Sequence, residues 1–154
     1  MRCCGTSLAD IIILVIMAKL KKQEVEKEKF LPKLAKNLSS EQYNICFLAG
    51  TEPPFSGKYT DNFDKGMYLC AVCKTSLFPS SSKFHSDSGW PSFDRVEDND
   101  AVELRSDHSL GVVRVEVLCK NCGVHLGHLF DDGPTETHHR YCINSLALDF
   151  KSAK

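Results

Sequence analysis

An excess of charge of either sign is missing from this chain: 19 Lys plus Arg stand against 20 Asp plus Glu in 154 residues, a formal net charge of -1. No global basic field exists to gather a nucleic acid, and none is expected as a partner. A membrane-spanning apolar run is missing too. Residues 8–18 (LADIIILVIMA) give about half of the roughly 20 apolar residues that a crossing helix needs, and they include Asp10. Beyond Ala49 there is neither a sustained 3.6-residue hydrophobic period nor a repeat of solenoid length, which removes helical bundles and repeat arrays. Tryptophan occurs once, at Trp90. With 42% hydrophobic and 25% charged residues, the composition is that of a globular protein, long enough for one core.

Cysteine is abundant. Eight occur, more than an ordinary globular protein uses and fewer than a small disulfide-stapled scaffold carries. The amino end reads as an extension over residues 1–38. Its apolar run lies between Arg2 and a cluster at Lys19, Lys21 and Lys22, and seven lysines and three glutamates fill 19–36 as a solvated linker. No small-x-small cleavage site precedes the lysines, so the cytoplasm is the expected compartment, with organellar targeting or membrane association by residues 1–20 as the alternative. The folded domain is expected over 39–150, with 151–154 as a tail. Ser39 with Gln42 forms a capping box for a short helix that Gly50 can end. Val113, Val115 and Val117 alternate with Arg114 and Glu116, and Leu146, Leu148 and Phe150 repeat the period of two near the carboxyl end. Each predicts a strand with one buried face. The fold class is mainly β.

Two C-x-x-C pairs, Cys70/Cys73 and Cys119/Cys122, are separated by 45 residues. Two residues between thiolates let a tight turn aim both sulfurs at one ion, and two such turns complete the tetrahedral shell that zinc prefers. Gly123 provides backbone freedom after the second pair. Four thiolates leave no open position, so a zinc here would be structural, clipping two distant hairpins. Structural disulfides or thioredoxin-like redox pairs are the alternatives, although neither pair opens a helix in a βαβ pattern. His125 and His128, followed by Arg140, Cys142 and Asn144, have the makings of an activated thiolate: cations lower a thiol pKa, and imidazole exchanges protons near neutrality. On spacing alone Cys142 is equally a small buried hydrophobe and the histidines fillers of the knuckle.

The segments Gly50–Gly57 (GTEPPFSG), Ser88–Phe93 (SGWPSF), His125–Pro134 (HLGHLFDDGP) and Arg140–Ser145 (RYCINS) together resemble the successive signatures of the zinc-containing methionine-R-sulfoxide reductases, MsrB, over Ser39 to Phe150. The resemblance implies an antiparallel β-sheet domain with short amino-terminal helices and a Cys4 zinc clip. It implies that Cys142 attacks the sulfoxide sulfur and becomes a sulfenic acid. His125 and His128 would support proton delivery, Arg140 would hold the thiolate and Asn144 would position polar groups. Trp90 and Phe130 would wall the pocket for the substrate methyl and so select the R epimer, in oxidised proteins or in the free amino acid. Thioredoxin or another thiol is the implied reductant, with the chain acting as a monomer. One position departs from the pattern: many members carry a resolving cysteine where this chain has Ser88. Cys3, Cys4 and Cys46 remain as resolvers, Cys46 also reading as a buried helix residue. A non-enzymatic zinc-binding interaction module and a cysteine hydrolase are the competing classes. The first has no use for a thiol beside two histidines, and the second would need an oxyanion hole.

Overall fold

Ser39 caps a helix as its spacing predicts. In the computed structural model, which describes residues 12–18 and 33–154, helix α1 runs Ser40–Leu48. The Ser39 hydroxyl accepts from the Gln42 N–H at 3.1 Å, and the Gln42 side chain accepts from the Ser39 N–H at 3.1 Å. The helix ends one residue earlier than expected: Ala49, not Gly50, takes the left-handed conformation at φ 53°. Ile45 and Cys46 are its buried residues. The chain divides into a unit of Met1–Lys36 and a unit of Asn37–Lys154. In the first, residues 12–18 are helical and exposed, and among the described residues no helix is long and apolar enough to cross a membrane.

Nine strands build the second unit, all pairing antiparallel. Strands β1 (Gly66–Cys70), β2 (Ser76–Pro79) and β9 (Leu148–Ser152) form a three-stranded sheet in the order β2-β1-β9. The remaining six are β3 (Lys83–Phe84), β4 (Ser92–Phe93), β5 (Val102–Asp107), β6 (Arg114–Cys119), β7 (His125–Phe130) and β8 (Arg140–Ile143). They form a second sheet in the order β3-β4-β8-β7-β6-β5. The mainly β fold class is thereby met.

Side chains alternate across the larger sheet, and the alternation divides chemistry from packing. Phe93, Tyr141, Ile143 and Val117 point into the core, where Phe78 stacks on Phe93 with centroids 4.4 Å apart and Tyr68 meets Phe93 edge-on at 5.0 Å. Ser92, Cys142, His128 and Glu116 are consecutive cross-strand partners and share the other face. Two sequence expectations need correction. Val117 is buried, but Val113 and Val115 are 67% and 37% exposed, because the β5–β6 hairpin extends past the core that covers Val117. Leu146 lies in a 3-10 turn over Ser145–Ala147, so the carboxyl-terminal strand begins only at Leu148.

Candidate active site and metal clip

The two C-x-x-C pairs fold as matching knuckles. In the first, the Lys74 N–H donates to the Cys70 carbonyl at 2.9 Å and the Cys70 N–H to Thr75 at 2.8 Å. In the second, Gly123 donates to Cys119 at 2.6 Å and Cys119 to Val124 at 2.9 Å. The residue after each pair is left-handed: Gly123 at φ 79° without penalty, Lys74 at φ 60° held by its Nζ donating to the Ala71 carbonyl at 2.9 Å. Cys70 lies on β1 of one sheet and Cys119 on β6 of the other, so the knuckles join the sheets.

The four Sγ atoms lie within 4.8 Å of one another, with Cys70–Cys122 at 3.7 Å and Cys73–Cys119 at 3.5 Å. A sulfur tetrahedron around zinc, with bonds of about 2.3 Å, has edges of roughly 3.8 Å. The donor set therefore fits such an ion and can hold a metal. Hydrogen bonding among the crowded sulfurs pushes Cys70 and Cys122 up and Cys73 and Cys119 down, a conflict that one dication would resolve by making all four thiolates.

Cys142 sits mid-sheet on β8, with Ser92 of β4 opposite on one side and His128 of β7 on the other. Its neighbours come this close partly because Gly127 has no side chain: a Cβ there would meet the Cys142 carbonyl oxygen and clash with Ile143 Cα at 2.9 Å. The Cys142 thiol is half-buried, and burial pushes its pKa up while the Arg140 guanidinium and the Ser88 hydroxyl, 4.0 Å from Sγ, pull it down. Arg140 is shared. Its Nε and terminal nitrogen donate to both Asp132 oxygens at 2.7 and 2.9 Å, and the guanidinium lies 4.4 Å above the Phe130 ring.

His125 and His128 are three apart, which in a regular strand would place them on opposite faces. A bulge where β7 pairs Val117 and Leu118 resets the register, and the two rings meet at 5.4 Å between centroids. His125 Nδ1 bonds Glu116 at 2.7 Å and His128 Nε2 bonds Asp107 at 2.9 Å, Asp107 being held in turn by Arg114 at 2.6 Å. A carboxylate can only accept, so in the neutral imidazoles those nitrogens carry the protons, leaving His125 Nε2 and His128 Nδ1 as the other functional atoms. His125 Nε2 is buried and has no hydrogen-bond partner among the described residues, and burial lowers the His125 pKa.

Trp90 donates its indole N–H to the Glu52 carbonyl at 3.0 Å. Asn144 is buried and held at both ends of its amide: its Oδ1 accepts from the Glu52 N–H at 3.1 Å and its Nδ2 donates to the Leu126 carbonyl at 3.0 Å. Cys46 is 2% exposed, and burial with repulsion from Cys119 pushes its thiol up to about 12. Cys3 and Cys4 lie outside the described residues.

Sequence reading missed the orienting acids Glu116, Asp107 and Asp132, since only strand register reveals which carboxylate meets which histidine. It also missed Glu52, whose buried carboxylate accepts the Ser145 and Leu146 N–H groups at 2.5 and 3.0 Å and whose backbone holds Trp90 and Asn144. Its place within the Gly50–Gly57 signature was the available signal.

An antiparallel β domain with a four-thiol clip, carrying a separate cysteine opposite a carboxylate-backed imidazole, belongs to the class of thiol enzymes. Residues 38–152 match the SelR domain model. A peptide methionine sulfoxide reductase MsrB of Burkholderia mallei is 50% identical over 120 residues, covering 77% of this chain and 84% of that protein. Its counterpart in Burkholderia cenocepacia is 51% identical over 120 residues with the same coverage. That of Burkholderia lata is 50% identical over 126 residues, 81% of this chain and 88% of the relative. The chain belongs to the SelR family of MsrB-type reductases.

Proposed function

We propose that this protein reduces methionine-R-sulfoxide to methionine with Cys142 as the nucleophile, and that its four-cysteine clip holds zinc for structure alone. The observation that carries the reading is the seat of Cys142 on a polar sheet face directly opposite His128, with His125 beside it. A sulfoxide sulfur is a poor electrophile until its oxygen gains a proton, so a thiolate and an acid must act together. Burial keeps the proton on Cys142 at rest. As substrate enters, that proton passes to an imidazole, whose charge Glu116 or Asp107 stabilises, and from there to the sulfoxide oxygen. Sγ bonds to the substrate sulfur, the protonated oxygen then moves from that sulfur to Sγ as its S–O bond breaks, and the Sγ–sulfur bond breaks with its electron pair on methionine, leaving Cys142 as sulfenic acid. One thiol and one sulfoxide give one sulfenic acid and one thioether, so atoms and electrons balance.

Arg140 stabilises the thiolate during attack, and Asn144 positions Glu52 and the strand ends around the site. Trp90, fixed by its indole bond, and Phe130, fixed beneath Arg140, bound the pocket that admits the methyl group in one orientation. Recycling consumes two thiols and releases water and a disulfide. Ser88 supplies no thiol, and Cys46 is buried and strongly protonated beside the clip. Thioredoxin or a similar reductant therefore acts directly or through Cys3 or Cys4. Zinc would be held by Cys70, Cys73, Cys119 and Cys122, and the domain acts as a monomer on oxidised proteins or free methionine sulfoxide.

The test is reduction of separated R and S epimers with dithiothreitol by wild type and Cys142→Ser. Turnover of the R epimer by wild type alone is expected. Reduction that survives the substitution would remove Cys142 from its role. Thioredoxin-supported turnover is expected to depend more on Cys3 and Cys4 than on Cys46; unchanged turnover in a Cys3/Cys4 double variant would assign direct reduction.

A further inference from the structure

Three serines close one side of Cys142. The Ser88 Oγ lies 4.0 Å from the Cys142 Sγ, Ser86 lies 2.7 Å from Ser88, Ser92 lies 2.7 Å from Ser86, and the Ser92 hydroxyl reaches the Trp90 carbonyl at 3.2 Å. Ser92 is 1% exposed, so the inner end of this row is shut off from water. A serine hydroxyl has one proton and two lone pairs, and it rotates to suit its neighbours. The row can therefore be polarised in either direction without moving a heavy atom.

With Cys142 protonated, S–H donates to Ser88, Ser88 to Ser86, Ser86 to Ser92, and Ser92 to the Trp90 carbonyl. With Cys142 ionised, every hydroxyl turns: Ser92 donates to Ser86, Ser86 to Ser88, and Ser88 to the thiolate. We propose that Ser88, Ser86 and Ser92 form a reversible hydroxyl relay that follows the protonation of Cys142, so that Ser86 stabilises the thiolate without touching it. This rests on Cys142 being the nucleophile. It adds Ser88 as a contact to the reacting sulfur and Ser86 and Ser92 as positioning residues. Chained hydrogen bonds polarise one another, and a charged acceptor strengthens each link.

The other groups facing the thiol are His128 and His125 from β7 and Arg140 with its partner Asp132. Behind the imidazoles stand Glu116, Asp107 and Arg114. None of these touches Ser86 by a hydrogen bond, so a Ser86 effect on Cys142 must pass through Ser88, whose hydroxyl lies 2.7 Å from Ser86 and whose N–H donates to the Ser86 oxygen at 3.4 Å; longer contacts of 3.4 Å also join the Ser88 hydroxyl to Ser92 and to the Trp90 carbonyl.

The test is the pH dependence of Cys142 alkylation by iodoacetamide, read on the Cys142 peptide by mass spectrometry in the full-length, metal-loaded protein. Ser88→Ala is expected to raise the midpoint by about one unit, a tenfold loss of thiolate at a given lower pH. Ser86→Ala should move it in the same direction by about a third as much. Ser88→Thr, which keeps the hydroxyl, should restore the wild-type midpoint and shows that the shift is not a folding defect. An unchanged midpoint in Ser86→Ala would overturn the relay even if Ser88→Ala shifts, since the contact would then be purely pairwise. An unchanged midpoint in both would overturn it outright. Alkylation involves no sulfoxide, so its failure leaves the epimer assay standing, and a failed epimer assay leaves the midpoints interpretable.

Discussion

Two cysteine environments lie in this one domain, and they are opposites. At the clip four sulfurs crowd together, and Thr75 meets Cys73 from outside the set at 3.2 Å. At Cys142 no other sulfur among the described residues is bonded to the thiol, whose neighbours are the Ser88 hydroxyl, His128 across the strand and the Arg140 guanidinium. Crowded sulfurs with matched knuckle turns are arranged so that they can share a cation, and sharing one would tie the two sheets together. A solitary sulfur among proton carriers gains nothing for stability and is free to change its bonding. Partners, more than exposure, separate the two: Cys73 of the clip and Cys142 are both part-buried.

The largest effect should come from breaking the clip. Cys119→Ala leaves three donors and is expected to release the metal and unfold the domain, forfeiting most of the roughly 10 kcal/mol that such binding contributes. Metal analysis with urea titration checks this; a folded, metal-free variant would refute the structural assignment. Cys142→Ser should do the reverse, abolishing turnover by about a thousandfold or more while leaving the denaturation midpoint within about 1 kcal/mol of wild type. Glu52→Gln lies between them. Its amide cannot accept both the Ser145 and Leu146 N–H groups, so about 1–3 kcal/mol of stability should be lost, together with some activity through Trp90 and Asn144. A double measurement of melting and turnover separates the two.

A pH titration sharpens the contrast further. Burial lowers the His125 pKa in the folded state, so the unfolded chain binds the proton more readily. Stability carried by neutral His125 is present above the ordinary value near 6.5 and is lost as pH falls through and below it. His125→Ala should flatten that part of the curve, measured by chemical denaturation at several pH values. An unaltered slope would show that His125 ionises freely despite its burial. The smallest effect belongs to Cys46→Ala, expected to reduce stability by about 1 kcal/mol and to leave dithiothreitol-supported turnover unchanged.

The clip was legible because chelate spacing is local: each C-x-x-C closes its own turn, and only the pairing of the two turns is long-range. The capping box at Ser39 and Gln42 was legible for the same reason. Periodicity served less well. Val115 and Val117 do share a face while Val113 precedes the strand, and how far the core extends along that face depends on the opposing sheet, which no local pattern encodes. The partners of the histidines were hidden by the bulge at Val117, since one extra residue decides whether His125 joins His128 or turns away. The serine row was invisible because Ser86, Ser88 and Ser92 read as loop residues until β4 is paired with β8.

Both arginines around Cys142 are paired within the site, Arg140 with Asp132 and Arg114 with Asp107, and the Glu116 carboxylate is capped by the His125 N–H. A sulfoxide is itself uncharged. Little field therefore extends into solvent to draw a substrate in, and the Debye length of the medium has little to act upon. Encounter should be governed by diffusion and by the fit of one methyl group. Salt that would slow an electrostatically steered enzyme should leave kcat/KM here nearly unchanged for a neutral peptide.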